Sequence, residues 1–205
     1  MNPVSQRINE GVRKVPTWLL YVLAVIPPAL LFYNGVVGNL GIDPVKKMEH
    51  QIGLYGLWAL IATLSVTPLR RFARINLLKF RRALGLIAFF YISCHLAVWL
   101  FLDVQIWSQI WADIVKRPYI TIGMGAFVLM IPLAVTSNNW SMRRLRKNWG
   151  KLHKLVYPAV LLGGIHFIML RKGIQLEPLI YLGVIVLLLL LRLPPISKVR
   201  SPARA

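Results

Sequence analysis

The 205-residue chain is 57% hydrophobic, with a formal net charge of +19 and a mean hydropathy of +0.62. Such hydropathy in long uncharged runs excludes an ordinary soluble domain, and the single cysteine, Cys94, excludes an internal disulfide framework. The basic excess would suit a nucleic acid, but it sits in short blocks between the apolar runs, so anionic lipid is the expected partner and no nucleic acid is.

In chain order, the uncharged runs cover residues 15–42, 50–69, 83–102, 118–142, 155–170 and 178–191. A membrane-spanning helix needs about 20 mostly apolar residues. The runs therefore predict six spans, at about 17–34, 51–69, 83–102, 119–136, 154–171 and 178–193. The last two are short and need Lys154, Arg171 and Arg192 to lay their stems along lipid and snorkel to the headgroups. The expected fold class is all-α: one domain over residues 1–205, a six-helix transmembrane bundle. The first span is too long for a signal-peptide core and no clear small-x-small site follows it, so it is expected to be retained, with Pro27-Pro28 breaking it midway.

The loops alternate in charge. With the N-terminus inside, 19 of the 25 basic residues fall on inner segments: Arg7 to Lys14, Arg70 to Arg82, Arg143 to Lys154, and Arg192 to Arg204. The outer segments hold only Lys46, Lys47, Lys116, Arg117, Arg171 and Lys172. This is the positive-inside pattern, and it places both termini in the cytoplasm of a bacterial inner (plasma) membrane, the chain crossing it several times. Trp18, Tyr33, Trp99, Trp107, Trp111, Tyr119, Trp140 and Trp149 gather towards span ends as an aromatic belt does. Trp107 and Trp111 would share a face if their loop is a short interfacial helix.

No loop has room for a nucleotide-binding domain. Gly123-x-Gly125 lies in a span and has Val128 where a third glycine would stand, so it is a packing feature. No internal repeat of fixed period stands out. The span interiors contain no Asp or Glu; Asp43, Glu49, Asp103, Asp113 and Glu177 all fall at outer ends. Ion-coupled transporters usually keep such groups at mid-membrane, so their absence speaks against a transporter.

The histidines carry the chemistry. An ionisable group at membrane depth needs a partner, and imidazole is the commonest metal ligand. His95 comes 13 residues after Arg82 and His166 comes 12 after Lys154, placing them at roughly 20 and 18 Å from the inner boundary. Two histidines on different helices at one depth can clamp a haem iron between them. No C-x-x-C-H exists for covalent attachment, so the group would be a b-type haem. His153 lies at the inner end of the fifth span, where the third span offers Arg81 and Arg82 rather than a histidine. One two-histidine haem follows, and a second, involving His153, stays open. His50, at the outer mouth of the second span, is expected to be an ordinary surface residue.

Thr67-Pro68-Leu69-Arg70-Arg71, Arg81-Arg82-Ala83-Leu84-Gly85-Leu86 with Tyr91 and His95, and Trp149-Gly150-Lys151-Leu152-His153 with Tyr157 and His166-Phe167 resemble the ferric-reductase-like transmembrane domain. The short form without a flavin dehydrogenase tail is similar to the haem-binding membrane subunits of periplasmic protein-methionine-sulfoxide reductase systems (the MsrQ/YedZ family), over about residues 17–192. The resemblance implies an electron-transfer subunit of an oxidoreductase complex with no catalytic residues of its own. Electrons would come from the quinone pool or a cytosolic flavin reductase. They would pass through haem b, held by His95, His166 and His153, to a periplasmic molybdopterin reductase that repairs oxidised envelope proteins. It also implies flavin mononucleotide (FMN) as a cofactor, with Arg81 and Arg82 as phosphate contacts. The alternatives are a membrane ferric or cupric reductase of the same fold and, from a different class, a metal permease.

Overall fold

Each long uncharged run forms a helix, and the polar blocks between them form short helices and turns. A computed structural model describes residues 3–171, 173 and 175–193. Of the basic residues counted above, Lys172, Lys198, Arg200 and Arg204 lie outside the described residues. In chain order the α-helices are α1 (Pro3–Lys14), α2 (Thr17–Val36), α3 (Pro44–Pro68), α4 (Arg81–Val98), α5 (Trp107–Lys116), α6 (Pro118–Val135), α7 (Asn139–Leu145), α8 (Lys147–Leu152), α9 (Val156–Leu170) and α10 (Leu176–Leu190). The described residues form no strand.

Five helical segments are long and apolar enough to cross a membrane: Thr17–Val36, Pro44–Ala73, Leu78–Val104, Pro118–Val135 and Lys147–Leu170. The protein is a multi-pass membrane protein. The sixth expected span corresponds to α10, an apolar helix of 15 residues. Pro27 and Pro28 do not break α2, which runs unbroken from Thr17 to Val36 with Pro28 buried. α2 carries much of its apolar surface outward, as Val22, Leu23, Val25, Ile26 and Leu30.

α3 is the central helix. Asp43 caps it by accepting from the Lys46 amide at 3.0 Å, and Pro44 opens its first turn, where a missing N–H costs nothing. It packs chiefly on α4 and also touches α2, α9 and α10, while α6 packs chiefly on α9. In lipid there is little water to expel, so helices associate by close approach. Gly56 lets α3 meet Ile92 of α4, and Gly164 lets α9 meet Leu182 and Ile185 of α10.

Pro68 removes one amide from the end of α3, so the Leu64 carbonyl loses its helical donor. Arg192, just past α10, supplies the replacement: Nη2 donates to the Leu64 carbonyl at 2.6 Å and Nε at 3.1 Å, and Nη2 also reaches the Thr63 carbonyl at 3.2 Å. Arg71 Nη1 donates to the Leu191 and Leu193 carbonyls in return. Arg192 therefore turns into the protein rather than towards headgroups, because a carbonyl without a donor is a better partner than lipid. Arg171 likewise turns inward.

The two ends of the bundle differ. One gathers α1, the 69–80 turn, α7 and α8: Asn9 Nδ2 donates to the Arg74 carbonyl, Lys79 Nζ to the Arg13 and Val15 carbonyls, and Arg82 Nη2 to Asn139. The other end carries the α2–α3 turn, α5 and the α9–α10 turn, where Lys46 pairs with Asp103 and Glu49, and Arg117 with Asp113. α5 is the short helix that Trp107 and Trp111 required; both are largely exposed, while Ile110 packs against Trp99 and Ile120.

Candidate functional site

His95 stands near the end of α4 and His166 near the end of α9, and packing of the α3–α4 pair against the α6–α9 pair brings them together. Their ring centres are 6.3 Å apart, with the ring planes at 78°. His95 Nδ1 donates to the Glu49 carbonyl at 2.8 Å, and His166 Nδ1 to the Tyr119 carbonyl at 2.7 Å. A carbonyl only accepts, so the proton of each neutral ring sits on Nδ1 and the lone pair on Nε2. Both imidazoles thus have the tautomer and anchoring of a metal ligand whose outer partner is a backbone oxygen.

The two rings line a cavity of about 360 Å³, within the roughly 300–1,000 Å³ usual for cofactor pockets. Its walls are mostly apolar, with Leu57, Leu60, Ile92 and Phe127 among them, while Lys46, Arg117 and Arg171, with Glu49 paired to Lys46, supply its charged lining. A haem is a flat apolar ring with two carboxylates on one edge, and this cavity matches that division. Imidazole nitrogens at about 2.0 Å on opposite sides of one ion hold their ring centres about 6 Å apart. The observed separation therefore fits a haem iron between His95 and His166. Among the described residues no group of three or more His, Cys, Asp or Glu side chains gathers to hold a bare metal ion.

The other expected site residues lie elsewhere. His153 is at the basic end, outside the cavity, stacked on Trp149 with ring centres 3.8 Å apart. Its Nε2 is 3.1 Å from Thr136 Oγ1, whose own proton goes to the Pro132 carbonyl at 2.6 Å. Nε2 of His153 is therefore the donor, the opposite tautomer to the cavity pair. Arg81 and Arg82 open α4 at the same end, both exposed. Arg82 Nη2 donates to Asn139 Oδ1 at 2.8 Å, and Arg81 is close enough to interact electrostatically with His153 and Arg192.

His50, expected at the surface, is half-buried and lines the cavity mouth. Arg171 Nη2 donates to its Nε2 at 2.7 Å, and its ring meets Phe167. Arg171 Nε is buried without a partner among the described residues, leaving a donor unused beside the cavity. Neither residue carries a local sequence signal for this role, because 121 positions separate them along the chain.

A family model described as "Ferric reductase like transmembrane component" matches residues 52–164, covering His95 and His153 and stopping just short of His166. The protein-methionine-sulfoxide reductase heme-binding subunit MsrQ of Brucella anthropi is 50% identical over 210 residues, covering 98% of this chain and 94% of that protein. Those of Brucella ovis and Brucella canis are each 49% identical over 188 residues, covering 91% of this chain and 86% of theirs. The chain belongs to the MsrQ family. No solved structure matches it. Membership accords with the electron-transfer character of the ferric-reductase-like fold, and MsrQ relatives are named for binding haem.

Proposed function

We propose that the chain is the membrane electron carrier of a methionine-sulfoxide reductase system and that His95 and His166 hold one b-type haem. The paired imidazoles carry this reading: ring centres 6.3 Å apart, both Nδ1 atoms tied to carbonyls, and an apolar cavity between them. A haem bound there supplies reversible one-electron chemistry at the iron. The protein's own part is to orient the two rings, keep their Nε2 atoms unprotonated and exclude water with the apolar wall.

α10 completes a six-span bundle with both termini in the cytoplasm of the bacterial inner membrane, so the basic end is cytoplasmic and the cavity mouth periplasmic. Electrons come in at the basic end, from the quinone pool or a cytosolic flavin reductase, and Arg81, Arg82 and His153 border that uptake site. FMN would place its phosphate against the two arginines. A second haem there would need His153 to leave Thr136. At the other end a periplasmic molybdopterin subunit takes the electrons and repairs oxidised envelope proteins.

The ferric-reductase-like fold favours one runner-up, delivery of electrons to outer ferric or cupric ions. A metal permease would use His95 and His166 as transient ligands, and span interiors without Asp or Glu speak against ion-coupled transport. Membranes containing the chain should reduce a purified periplasmic molybdenum reductase and should lose that transfer on His95→Ala or His166→Ala. Membranes that reduce ferric chelates but never the reductase would establish the runner-up.

A further inference from the structure

The two histidines are held by one device used twice. Four residues after the Glu49 carbonyl, one helical turn along α3, stands Gly53; four after the Tyr119 carbonyl, in the same relation on α6, stands Gly123. Each glycine lies against the ring that its neighbouring carbonyl holds. A Cβ on Gly53 would sit 3.1 Å from Nδ1 and 3.3 Å from Cε1 of His95. One on Gly123 would sit 2.8 Å from Nδ1 and 3.0 Å from Cε1 of His166. The carbonyls and the glycines are both 70 positions apart, and the histidines 71. The α3–α4 and α6–α9 pairs thus share one local arrangement of carbonyl, glycine and histidine.

We propose that Gly53 and Gly123 are the positioning residues of the paired-imidazole site. With no side chain, each lets a histidine ring lie against the neighbouring helix, so that Nδ1–H reaches the carbonyl one turn back and Nε2 turns to the shared gap. The inference rests on the haem reading above. A methyl group at Gly123 cannot be accommodated unless His166 or α6 moves, because carbon does not approach so closely. At Gly53 the ring has to give by a few tenths of an ångström, so the effect there is smaller. Gly125, two residues on, has only Leu162 Cδ1 at 3.9 Å, an ordinary contact, and serves as the control.

The test uses the full chain in detergent, wild type beside Gly53→Ala, Gly123→Ala, Gly125→Ala, His95→Ala and His166→Ala. Three properties are read: the ferric low-spin EPR signal, haem loss to apomyoglobin, and the thermal stability of the apoprotein. Gly123→Ala should lose or shift the low-spin signal and hold haem at least about ten-fold more weakly, the size expected when a ligand's outer partner is disturbed. Gly53→Ala should shift the same signal less, and Gly125→Ala should match wild type. Wild-type EPR and haem retention in folded Gly53→Ala and Gly123→Ala proteins would overturn the proposal while leaving the histidines as ligands. Should Gly123→Ala fail to accumulate, Gly53→Ala decides alone: an altered signal supports the proposal and an unchanged one refutes it. The haem reading fails separately if wild type shows no low-spin signal or the histidine variants keep it, and the proposal then falls with it.

Discussion

An imidazole away from bulk water has two nitrogens to place, and the one that carries the proton decides what the other can do. At His95 and His166 a backbone carbonyl accepts the hydrogen bond of Nδ1–H, so the Nε2 lone pair is left free to bind a metal. At His153 the Thr136 hydroxyl engages Nε2 instead, and Trp149 covers the ring face. The three histidines are chemically alike in sequence, yet in the structure His153 has the opposite tautomer to His95 and His166. Replacing His95 or His166 with Ala should therefore abolish low-spin haem absorption, read as loss of the sharp reduced α band. His153→Ala should leave that band in place, because its ring touches neither the cavity nor the pair. A spectrum in which His153→Ala removes the band and His95→Ala does not would reverse the assignment.

Among the elements, α10 is the one followed by a side chain, Arg192, that replaces a missing backbone donor in α3. Pro68 leaves the Leu64 carbonyl without its helical donor, and Arg192 carries three hydrogen bonds into that gap and its neighbour. Hydrogen bonds from a charged group are worth about 1.5–3 kcal/mol each, and more is lost when a buried acceptor is stranded. Arg192→Met should thus destabilise the protein by at least about 2 kcal/mol in a detergent-unfolding titration. Pro68→Ala restores an amide to Leu64, so the Arg192→Met penalty should shrink in that background by about 1 kcal/mol or more. Equal penalties in both backgrounds would show that the arginine acts through something other than the orphaned carbonyl. α5 offers a second test at this scale. Trp107, Trp111 and Val115 form an exposed apolar stripe, so brominated lipid should quench the fluorescence of a protein keeping only those two tryptophans.

Across the whole molecule, charge is divided between the ends. The basic end gathers arginines with few acids, whereas the other end pairs Lys46 with Asp103 and Glu49, Arg117 with Asp113, and Arg171 with Glu177. A locally neutralised surface exerts little long-range pull on a partner. Electron transfer to a periplasmic reductase should therefore change less than about ten-fold between 50 and 500 mM salt, a weak dependence for a docking reaction. At the basic end the reverse holds: Arg81→Gln with Arg82→Gln should slow haem reduction by the donor while leaving the haem spectrum unchanged. An unaltered reduction rate would return both arginines to fixing topology.

The amino-acid sequence determined the long helices, the alternation of basic and mixed ends, and the common depth of His95 and His166. All three follow from properties additive along the chain: hydropathy per residue, charge per loop and rise per helical residue. It also held partial clues that no local rule could complete. Pro68 announces an orphaned carbonyl but not that Arg192 fills it, and Pro27-Pro28 announces a break that α2 does not show. Tertiary structure alone decided the tautomers, the inward turn of Arg171 to His50, and the two glycines beneath the rings. Each depends on which face of one helix meets another. That is set by close packing between elements tens of residues apart, where a displacement of a few tenths of an ångström separates a contact from a clash.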